Sequence, residues 1–376
     1  MRVLMDLTSA VQGHGGLGRY ADELTRALIA LDRGVDLRIF YNDPLGRLPS
    51  PPVDALPRKV LGWSNKTWRL TALFSKYTHV SMDRLLGKAD VFHATDHLLP
   101  RLSRTRSVFT LHDLAFLRVP EAHLPLNRWF LKLMMPFFLG QADAIIAVSE
   151  FTKRDALAYY ALDESKFQVI PEGVSTDFRP VLDPLRLAGV RRRYGLPDRF
   201  ILFVSTIEPR KNLSTLWAAY RALRSEGRTE GLVVAGRKGW LYEDTMVRLR
   251  EAGLEDEVIF LGHVAEEDLP AVYTLADCFA FPSLFEGFGL TPLEAMASGC
   301  PVVCSNSSSL PEVCGDAAIL VAPHDVAALA SALRRVLSEP ALQADLKRKG
   351  IRQAALFTWE SAAKKTLEVY RRAMSC

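Results

Sequence analysis

The chain has 376 residues, of which 49% are hydrophobic and 24% charged, and its formal net charge is +4. At roughly 150 residues per domain this length predicts about two domains, and the composition excludes a disordered chain. Five cysteines without a Cys-x-x-Cys pair exclude a disulfide framework and a zinc site of that type, and favour a reducing cytoplasm. The sequence shows neither a membrane-spanning run nor a signal peptide. We therefore expect a folded, soluble, cytoplasmic protein.

Short apolar runs rich in β-branched residues alternate with longer helical patterns along almost the whole chain, which is typical of parallel sheets covered by helices. The strands predicted in the first half are 3–7, 37–41, 91–93, 107–111, 144–148 and 167–170. Those predicted in the second half are 200–204, 231–235, 258–261, 278–281, 301–304 and 318–321. This pattern predicts an α/β protein with two doubly wound, Rossmann-like domains in tandem, joined within the proline-containing stretch 174–197.

A glycine-rich loop, Gly13 to Gly18, follows the first strand, opens a helix and satisfies G-x-G-x-x-G. Glycines allow backbone N–H groups to approach phosphate oxygens at a helix N-terminus. Six residues separate this loop from the strand, however, whereas a dinucleotide fingerprint turns almost at once. We therefore favour phosphate or sugar contact in another enzyme class over a nicotinamide site or a purely structural loop.

Two adjacent cations, Arg210 and Lys211, follow the strand 200–204. They are expected at the C-terminal edge of a parallel sheet, where such sheets bind ligands. An Arg fork beside a Lys point charge can neutralise a diphosphate. The alternative is a solvated pair on a turn.

Two glutamates, Glu286 and Glu294, flank the loop and helix start that follow the strand 278–281. Thr291 to Glu294 also reads as a capping box, which would explain Glu294 structurally but not Glu286. The N–H groups of Leu290 and Thr291 would point from the helix start toward an anion held by the two cations.

These motifs together resemble the retaining glycosyltransferases called group 1 or family four, which have the GT-B fold. The resemblance lies in GGLGRYADEL, LHDLAF, VIPEGV, FVSTIEPRKNL, FPSLFEGFGLTPLEAMASGCPVV and FTWESAAKKTLEVY. It implies two Rossmann-like domains facing across a cleft: an acceptor-side domain, 1–180, and a donor domain, 181–356. It also implies that the C-terminal helix, 357–376, packs back on the first domain and gives Phe357 and Trp359 their partners.

The resemblance assigns roles to residues of the second half. Arg210 and Lys211 match the pair that stabilises the donor diphosphate, Glu294 the residue that binds the ribose, and Glu286 the catalytic carboxylate that faces the donor sugar. The implied donor-binding residues there are Arg210, Lys211, Val264, Glu286, Gly287, Phe288, Gly289, Leu290, Thr291 and Glu294.

In the first half, Gly15 and Gly16 match the loop that approaches the donor phosphates and the acceptor, and His112 matches a catalytic histidine beside the sugar. His93 and His97 also flank a predicted strand end, where packed or solvated histidines are the commoner outcome. No Asp-x-Asp occurs in the chain, so we expect no metal and no cofactor. Cations and a helix N-terminus would stabilise the leaving phosphate. The resemblance further implies a front-face attack in which this phosphate helps to take the acceptor proton.

A basic segment, 64–86, places Leu70, Leu73, Phe74 and Tyr77 on one helical face. The simpler interpretation is a helix that buries this face on its own sheet, and the alternative is weak peripheral contact with the inner face of an anionic membrane. The segment 126–139 is apolar nearly all round and predicts a buried helix.

The sequence therefore predicts a metal-independent hexosyltransferase that acts on a nucleotide-sugar donor and a saccharide or lipid-linked glycan acceptor in glycan biosynthesis. GDP-mannose is favoured over UDP-glucose as the donor. The alternatives are a UDP-glucose-dependent enzyme, a nucleotide-sugar epimerase or phosphorylase, an NAD-dependent dehydrogenase, or a non-enzymatic glycan-binding protein. Nucleic acid is not expected as a partner.

Overall fold

The computed structural model describes residues 1–13, 15–31 and 34–375; His14 of the glycine loop and Cys376 at the end of the predicted C-terminal helix lie outside these ranges. The chain divides into two compact units. The first contains residues 1–114, 126–173 and the chain from Thr358 onward, and the second contains 115–125 and 174–357. The sequence placed this division at 180/181, seven residues later, and assigned 115–125 to the first domain.

The strands of the first unit are β1 (Arg2–Asp6), β2 (Asp36–Asn42), β3 (Arg58–Leu61), β4 (Val91–Ala94), β5 (Arg106–Leu111), β6 (Ala144–Ala147) and β7 (Phe167–Val169). Its helices are α1 (Thr8–Gln12), α2 (Gly15–Leu31), α3 (Asn65–Thr78), α4 (Asp83–Leu86), α6 (Pro125–Gln141), α7 (Glu150–Tyr159) and α16 (Trp359–Ser375), while α5 (Ala115–Arg118) lies in the inserted segment of the second unit.

The strands of the second unit are β8 (Phe200–Val204), β9 (Gly231–Ala235), β10 (Val258–Gly262), β11 (Cys278–Phe281), β12 (Val302–Ser305) and β13 (Ala318–Val321). Its other helices are α8 (Pro184–Tyr194), α9 (Leu213–Ser225), α10 (Tyr242–Glu251), α11 (Leu269–Leu275), α12 (Leu290–Ala297), α13 (Leu310–Cys314), α14 (Val326–Ser338) and α15 (Pro340–Ala354).

Each unit contains one parallel sheet. The strand orders are β3-β2-β1-β4-β5-β6-β7 and β10-β9-β8-β11-β12-β13, and every pairing between named strands is parallel. In both sheets the order reverses next to the first strand, between β1 and β4 and between β8 and β11. The prediction of two doubly wound α/β domains is confirmed.

All twelve predicted strands are present, with ends that differ by at most one residue. The sequence missed β3, whose first three residues are exposed. This edge strand contains Arg58 and Lys59 and therefore lacks the apolar run by which the other strands were recognised.

The last helix, α16, packs in the first unit. The ring of Trp359 lies 5.8 Å from that of Tyr20, and Tyr370 is fully buried and hydrogen-bonds His93 Nδ1 at 2.7 Å. Phe357 was expected to pack on the first domain as well. It belongs instead to the second unit, where its ring contacts Phe288 at 5.7 Å.

Two expectations for helices of the first unit were wrong. Helix α3 buries Trp68, Ala72 and Ser75, so the predicted face is turned outward: Leu70, Phe74 and Tyr77 are 62%, 56% and 62% exposed. Helix α6 is also not buried all round, because Leu126 and Trp129 are 77% and 59% exposed.

The close approach of Gly173 to α16 provides a test of this packing. A Cβ on Gly173 would lie 2.2 Å from the backbone N of Trp359, so Gly173→Ala must displace the start of the helix. We expect the free energy of unfolding to fall by about 1–3 kcal/mol or more. Gly189→Ala is the control: Gly189 lies inside α8, and a Cβ there meets no described atom within 4 Å. This substitution should leave the free energy of unfolding unchanged or raise it by about 0.5–1 kcal/mol. Urea unfolding of both variants measures the difference, and equal stabilities would contradict the packing.

Candidate functional site

The second sheet reverses its strand order between β8 and β11, so the loops that follow these two strands are neighbours. Ligands of open parallel sheets bind at this position. The loop after β8 contains Arg210 and Lys211, and the loop after β11 contains Glu286. The two loops are joined by Leu284, whose N–H donates to the carbonyl oxygen of Arg210 at 2.9 Å.

The three charged side chains form one buried cluster. Lys211 Nζ lies 2.6 Å from Glu286 Oε1, and an Arg210 Nη lies 2.9 Å from Glu286 Oε2. The second Arg210 Nη lies 2.8 Å from Oε1 of Glu208, a residue that is 2% exposed. The alternative of a solvated Arg-Lys pair is therefore wrong.

Sequence reasoning missed Glu208. Its position two residues before Arg210 in the same loop was the available signal, but nothing in the spacing says that its carboxylate turns inward. With Glu208 included, the cluster contains two cations and two carboxylates. The cations are thus compensated inside the protein rather than left as a net positive charge.

Serines from two loops hold Glu286 in place. Ser283 Oγ donates to Glu286 Oε1 at 2.6 Å, and the Glu286 N–H donates to Ser308 Oγ at 2.8 Å. Ser309 Oγ donates to the carbonyl oxygens of Glu286 and Phe288 at 2.9 and 2.6 Å. Ser308 and Ser309 belong to the segment between β12 and α13, which the sequence analysis did not connect with this site.

Asn212 is a further residue that the sequence analysis missed. It adopts a left-handed conformation, with φ 55°, at the start of α9. Its side-chain N–H₂ group donates to the carbonyl oxygens of Pro282 at 3.0 Å and Pro323 at 2.6 Å. The side chain thereby fixes the loops after β8, β11 and β13 to each other.

Burial and mutual attraction act in opposite directions on the charges of the cluster. Burial raises the pKa of Glu286, but the neighbouring charges of Arg210 and Lys211 outweigh it and lower the pKa to about 2. Burial and the charge of Arg210 lower the pKa of Lys211, while Glu286 and Glu208 oppose this shift. Glu286 is therefore a carboxylate at neutral pH.

Glu294 does not stand at the capping-box position of its helix. Helix α12 begins at Leu290, and its N-cap is Gly289, which has no side chain. The predicted capping box is wrong because Thr291 is the second helical residue and Glu294 the fifth. Glu294 is 1% exposed and accepts a hydrogen bond from the Tyr273 hydroxyl at 3.2 Å.

The remaining residues proposed for donor binding occupy different parts of the second unit. Gly287 to Gly289 connect Glu286 to α12, and Gly289 has φ 123°, which a side chain would strain. The Phe288 side chain packs against Phe357. Val264 is buried and follows β10 in the chain. Strand β10 forms the edge of the sheet, and β9 lies between it and β8.

In the first unit, His112 follows β5 and is 6% exposed. Its Nε2 lies 2.9 Å from the carbonyl oxygen of Thr95, and its Nδ1 lies 3.4 Å from Glu172 Oε1. Burial lowers the pKa of His112, but the hydrogen bond and charge of Glu172 outweigh it, so the pKa is raised. Acceptors on both ring nitrogens favour the imidazolium form, which cannot act as a base. The sequence analysis missed Glu172.

His93 and His97 differ from His112. His93 is fully buried, with its Nε2 2.7 Å from Thr110 Oγ1 and its Nδ1 against Tyr370, and burial lowers its pKa to about 3. It is a packing residue that holds α16. The ring of His97 lies 6.1 Å from that of His112, and its buried Nδ1 has no hydrogen-bond partner in the described part of the chain.

The glycine loop is built differently from a dinucleotide-binding turn. The short helix α1 separates β1 from Gly13, which ends that helix with φ 72°. A Cβ on Gly18 would lie 2.8 Å from the backbone oxygen of Ser9, so Gly18 is required for packing. A Cβ on Gly15 or Gly16 meets no described atom within 4 Å, so packing requires neither, but the backbone of Gly15, with φ 44°, favours glycine.

Within residues 1–13, 15–31 and 34–375, no group of three or more His, Cys, Asp or Glu side chains is arranged to hold a metal ion. None of the helices in the same ranges has the length and apolarity to cross a bilayer. The four described cysteines, Cys278, Cys300, Cys304 and Cys314, are buried and free.

Comparison with known proteins agrees with the resemblance seen in the sequence. Residues 191–353 match the family model "Glycosyl transferases group 1", and residues 14–178 match "Glycosyltransferase Family 4". The O-antigen chain mannosyltransferase B of Escherichia coli is 31% identical over 375 residues, which cover 95% of this chain and 96% of that protein.

Solved structures show the same fold. Sucrose-phosphate synthase from Thermosynechococcus elongatus superposes with a TM-score of 0.76 at 23% identity, and the alignment covers 100% of this chain and 99% of that protein's chain. The HepE protein of Anabaena, solved in complex with UDP-glucose, has a TM-score of 0.76 at 19% identity, with 98% of each chain covered. The fold is therefore GT-B.

The lowered pKa of Glu286 makes the stability of the second unit pH-dependent. The unfolded carboxyl takes up a proton near its ordinary pKa of 4.5, whereas the folded one does so near 2. The ion pairs therefore contribute fully to the free energy of unfolding above pH 4.5, and this contribution is lost as the pH falls toward 2. We expect Glu286→Gln to be less stable than the wild type at pH 7 by on the order of 3 kcal/mol, with the difference shrinking below pH 4.5.

Urea unfolding between pH 7 and pH 3 measures this difference. Glu255→Gln is the control, because Glu255 is an exposed carboxylate of the same unit, and its stability difference from the wild type should remain small throughout. A Glu286→Gln difference that does not change with pH would mean that the ion pairs contribute nothing to stability.

Proposed function

This chain belongs to the group 1, family-four glycosyltransferases of glycan biosynthesis, and we propose that it transfers a mannosyl residue from a nucleotide diphosphate sugar to a saccharide or lipid-linked saccharide. The proposed donor is GDP-mannose, and the anomeric configuration is retained. The observation that carries the proposal is the cluster of Arg210, Lys211 and Glu286 at the strand-order reversal of the second sheet.

The cations suit the charge that develops in this reaction. Cleavage of a sugar–diphosphate bond leaves negative charge on the departing phosphate, which fixed cations in a partly dry site stabilise without reorganisation. Lys211 and Arg210 are already fixed by Glu286, Glu208 and the loop backbone. In our proposal they receive the diphosphate, and no metal takes part.

Glu286 has two tasks in this proposal. Without a donor, its carboxylate occupies the place of an anion between the two cations. When the donor binds, its diphosphate replaces one carboxylate oxygen of Glu286 in the contact with the two cations. Glu286 then turns that oxygen toward the hydroxyls of the donor sugar. The buried Glu294 binds the ribose hydroxyls, and the N–H groups of Leu290 and Thr291 point toward the phosphates.

The attack then proceeds on the same face of the sugar from which the diphosphate leaves. The C1–O bond to the phosphate breaks, the acceptor oxygen forms the new C1–O bond, and the leaving phosphate takes the acceptor proton. We assign Gly15 and Gly16 to phosphate and acceptor contact on the resemblance of their loop. His112 acts as a fixed positive charge rather than as a base, since acceptors face both of its ring nitrogens.

The donor is assigned from the name of the Escherichia coli relative, a mannosyltransferase, and UDP-glucose is the alternative. A thermal-shift panel of GDP, UDP and ADP sugars tests the assignment, because a ligand of the native state raises stability with the logarithm of concentration over Kd. We expect GDP-mannose to give the largest shift, with or without EDTA. A response to none of these sugars would contradict the nucleotide-sugar proposal, and a larger shift with UDP-glucose would replace mannose by glucose.

Replacement of the lysine tests the site itself. Lys211→Met keeps most of the side-chain volume but removes the charge proposed to stabilise the leaving phosphate. We expect transfer to fall by about 10²–10³-fold, measured by nucleotide release in the presence of acceptor. Lys349→Met, at a half-buried lysine of α15, is the control and should retain full turnover. Near-normal turnover of Lys211→Met, with the fold verified by its melting curve, would reject the role of Lys211.

The glycine loop provides an independent test in the first unit. Because a Cβ on Gly16 meets no described protein atom, Gly16→Ala should leave the melting temperature unchanged but lower transfer by obstructing phosphate or acceptor. Gly18→Ala, in contrast, should lower the melting temperature, because its Cβ meets the backbone of Ser9. Full transfer by Gly16→Ala would remove this loop from the proposed site.

A further inference from the structure

Residues 115–125 come from the first half of the sequence but belong to the second unit. The chain leaves the first unit at Ala115, three residues after His112, and returns to it at Leu126, the second residue of α6. We call residues 115–125 the strap. The strap contains none of the residues assigned above to the donor or the acceptor, so binding of these substrates does not explain why it lies in the second unit.

The side chain of Trp240 anchors the strap. Its indole N–H donates a short hydrogen bond, 2.6 Å, to the carbonyl oxygen of Ala122. The ring of His123 stacks on the indole, with the ring centres 6.5 Å apart and the planes 29° from parallel. Because Ala122 is 1% exposed, removal of the indole N–H would leave its carbonyl oxygen buried without this donor, which is costly.

The loop that bears Trp240 is fixed in turn to the loop after β8. Residues 236–241 follow β9 and continue its parallel pairing with the chain after β8. The Ile207 N–H donates to the carbonyl oxygen of Arg237 at 2.9 Å, and the Gly239 N–H donates to the carbonyl oxygen of Ile207 at 2.9 Å. Trp240 therefore stands on a loop that cannot move independently of the chain at Ile207.

This connection continues into the cluster of charged side chains. The next residue, Glu208, accepts hydrogen bonds from Arg210 Nε at 3.1 Å and from an Arg210 Nη at 2.8 Å. The turn Pro209–Lys211 also lies beside the turn Pro120–Ala122 of the strap, with Cα atoms within 8 Å. The strap, the Trp240 loop and the cationic turn Pro209–Lys211 thus form one continuous set of contacts inside the second unit.

Stability alone does not account for this use of a tryptophan. Trp217 of the same unit is 1% exposed, as a tryptophan that serves the core should be, whereas Trp240 is 39% exposed. Much of the apolar area of Trp240 thus stays in water and contributes little to the free energy of unfolding. What Trp240 supplies is a directional contact, which fixes where the strap lies.

We propose that Trp240 is a positioning residue for the transfer reaction, because it clamps the strap beside the cationic turn and thereby holds the end of β5 that carries His112. The inference rests on the proposed function and deepens it, since Trp240 acts through the strap and touches neither donor nor acceptor. A misplacement of about 1 Å can lower a rate by about 10²-fold. Release of the strap should therefore slow the transfer step while the donor cluster stays intact.

Hydrogen exchange of the full chain without any substrate tests the clamp. Trp240→Phe keeps an aromatic ring but removes the N–H, so the strap should open more often. We expect the amides of Val119 and Ala122, which are hydrogen-bonded inside the strap, to exchange about tenfold faster after the loss of one hydrogen bond to a buried carbonyl. Tyr242→Phe is the control, because it removes a polar group from the first residue of α10 and leaves the indole in place. Equal exchange of the strap in both variants would overturn the clamp.

Steady-state kinetics and donor binding test the positioning role. Transfer is measured as nucleotide release from GDP-mannose with methyl α-mannoside as the acceptor probe, and the Kd of GDP-mannose is measured by calorimetry. For Trp240→Phe we expect kcat to fall about 10–100-fold, with the Kd and the melting temperature close to those of the wild type. Tyr242→Phe should match the wild type in all three quantities. An unchanged kcat of Trp240→Phe would overturn the positioning role.

Other results would assign Trp240 a different task. A donor Kd that rises as much as kcat falls would make Trp240 a structural support of the donor cluster and would overturn the proposal. A wild type that transfers from neither GDP-mannose nor UDP-glucose would contradict the proposed function, and with it the positioning role. The two failures are distinguishable, because hydrogen exchange decides the clamp without turnover.

Discussion

The second unit depends on the burial of one carboxylate. Glu286 lies at the strand-order reversal with 8% of its surface exposed, and burial alone would raise its pKa and neutralise it. Contacts of 2.6 Å from Lys211 and 2.9 Å from Arg210 reverse this effect. The two cations in turn require Glu286, because a buried lysine without a partner would lose its proton. The position of both loops therefore follows from this interaction.

Such a cluster is not the most stabilising way to fill this position. Well-packed apolar residues in place of a buried ion network are often as stabilising or more so, because desolvation of the charges offsets their attraction. The network does provide cations that are fixed before any anion arrives. Ser283, Ser308 and Asn212 fix the same loops through further hydrogen bonds. A preorganised site of this kind is what stabilisation of a leaving phosphate requires.

The sequence predicted the sheets well because their central strands are buried on both faces and read as continuous apolar runs. It predicted which loops meet, since β8 and β11 are recognisable strands and the fold makes them neighbours. It could not predict that Glu208 turns inward toward Arg210, because an acidic residue in a polar loop looks the same in either orientation. The false capping box has a similar cause: Thr291 to Glu294 matches the motif, but the backbone enters the helix two residues earlier, through Gly289.

The wrong face predicted for α3 shows a limit of periodicity. Trp68, Ala72 and Ser75 repeat at helical spacing, as do Leu70, Phe74 and Tyr77, so spacing alone does not say which group packs inward. The structure resolves this choice and relocates the charge of the chain as well. Residues 1–180 contain 23 basic and 19 acidic residues, and five of the basic ones belong to α3 and α6. Without these five, 18 basic residues would face 19 acidic ones. The net positive charge of the chain is thus carried by the two helices that also expose Phe74, Tyr77 and Trp129.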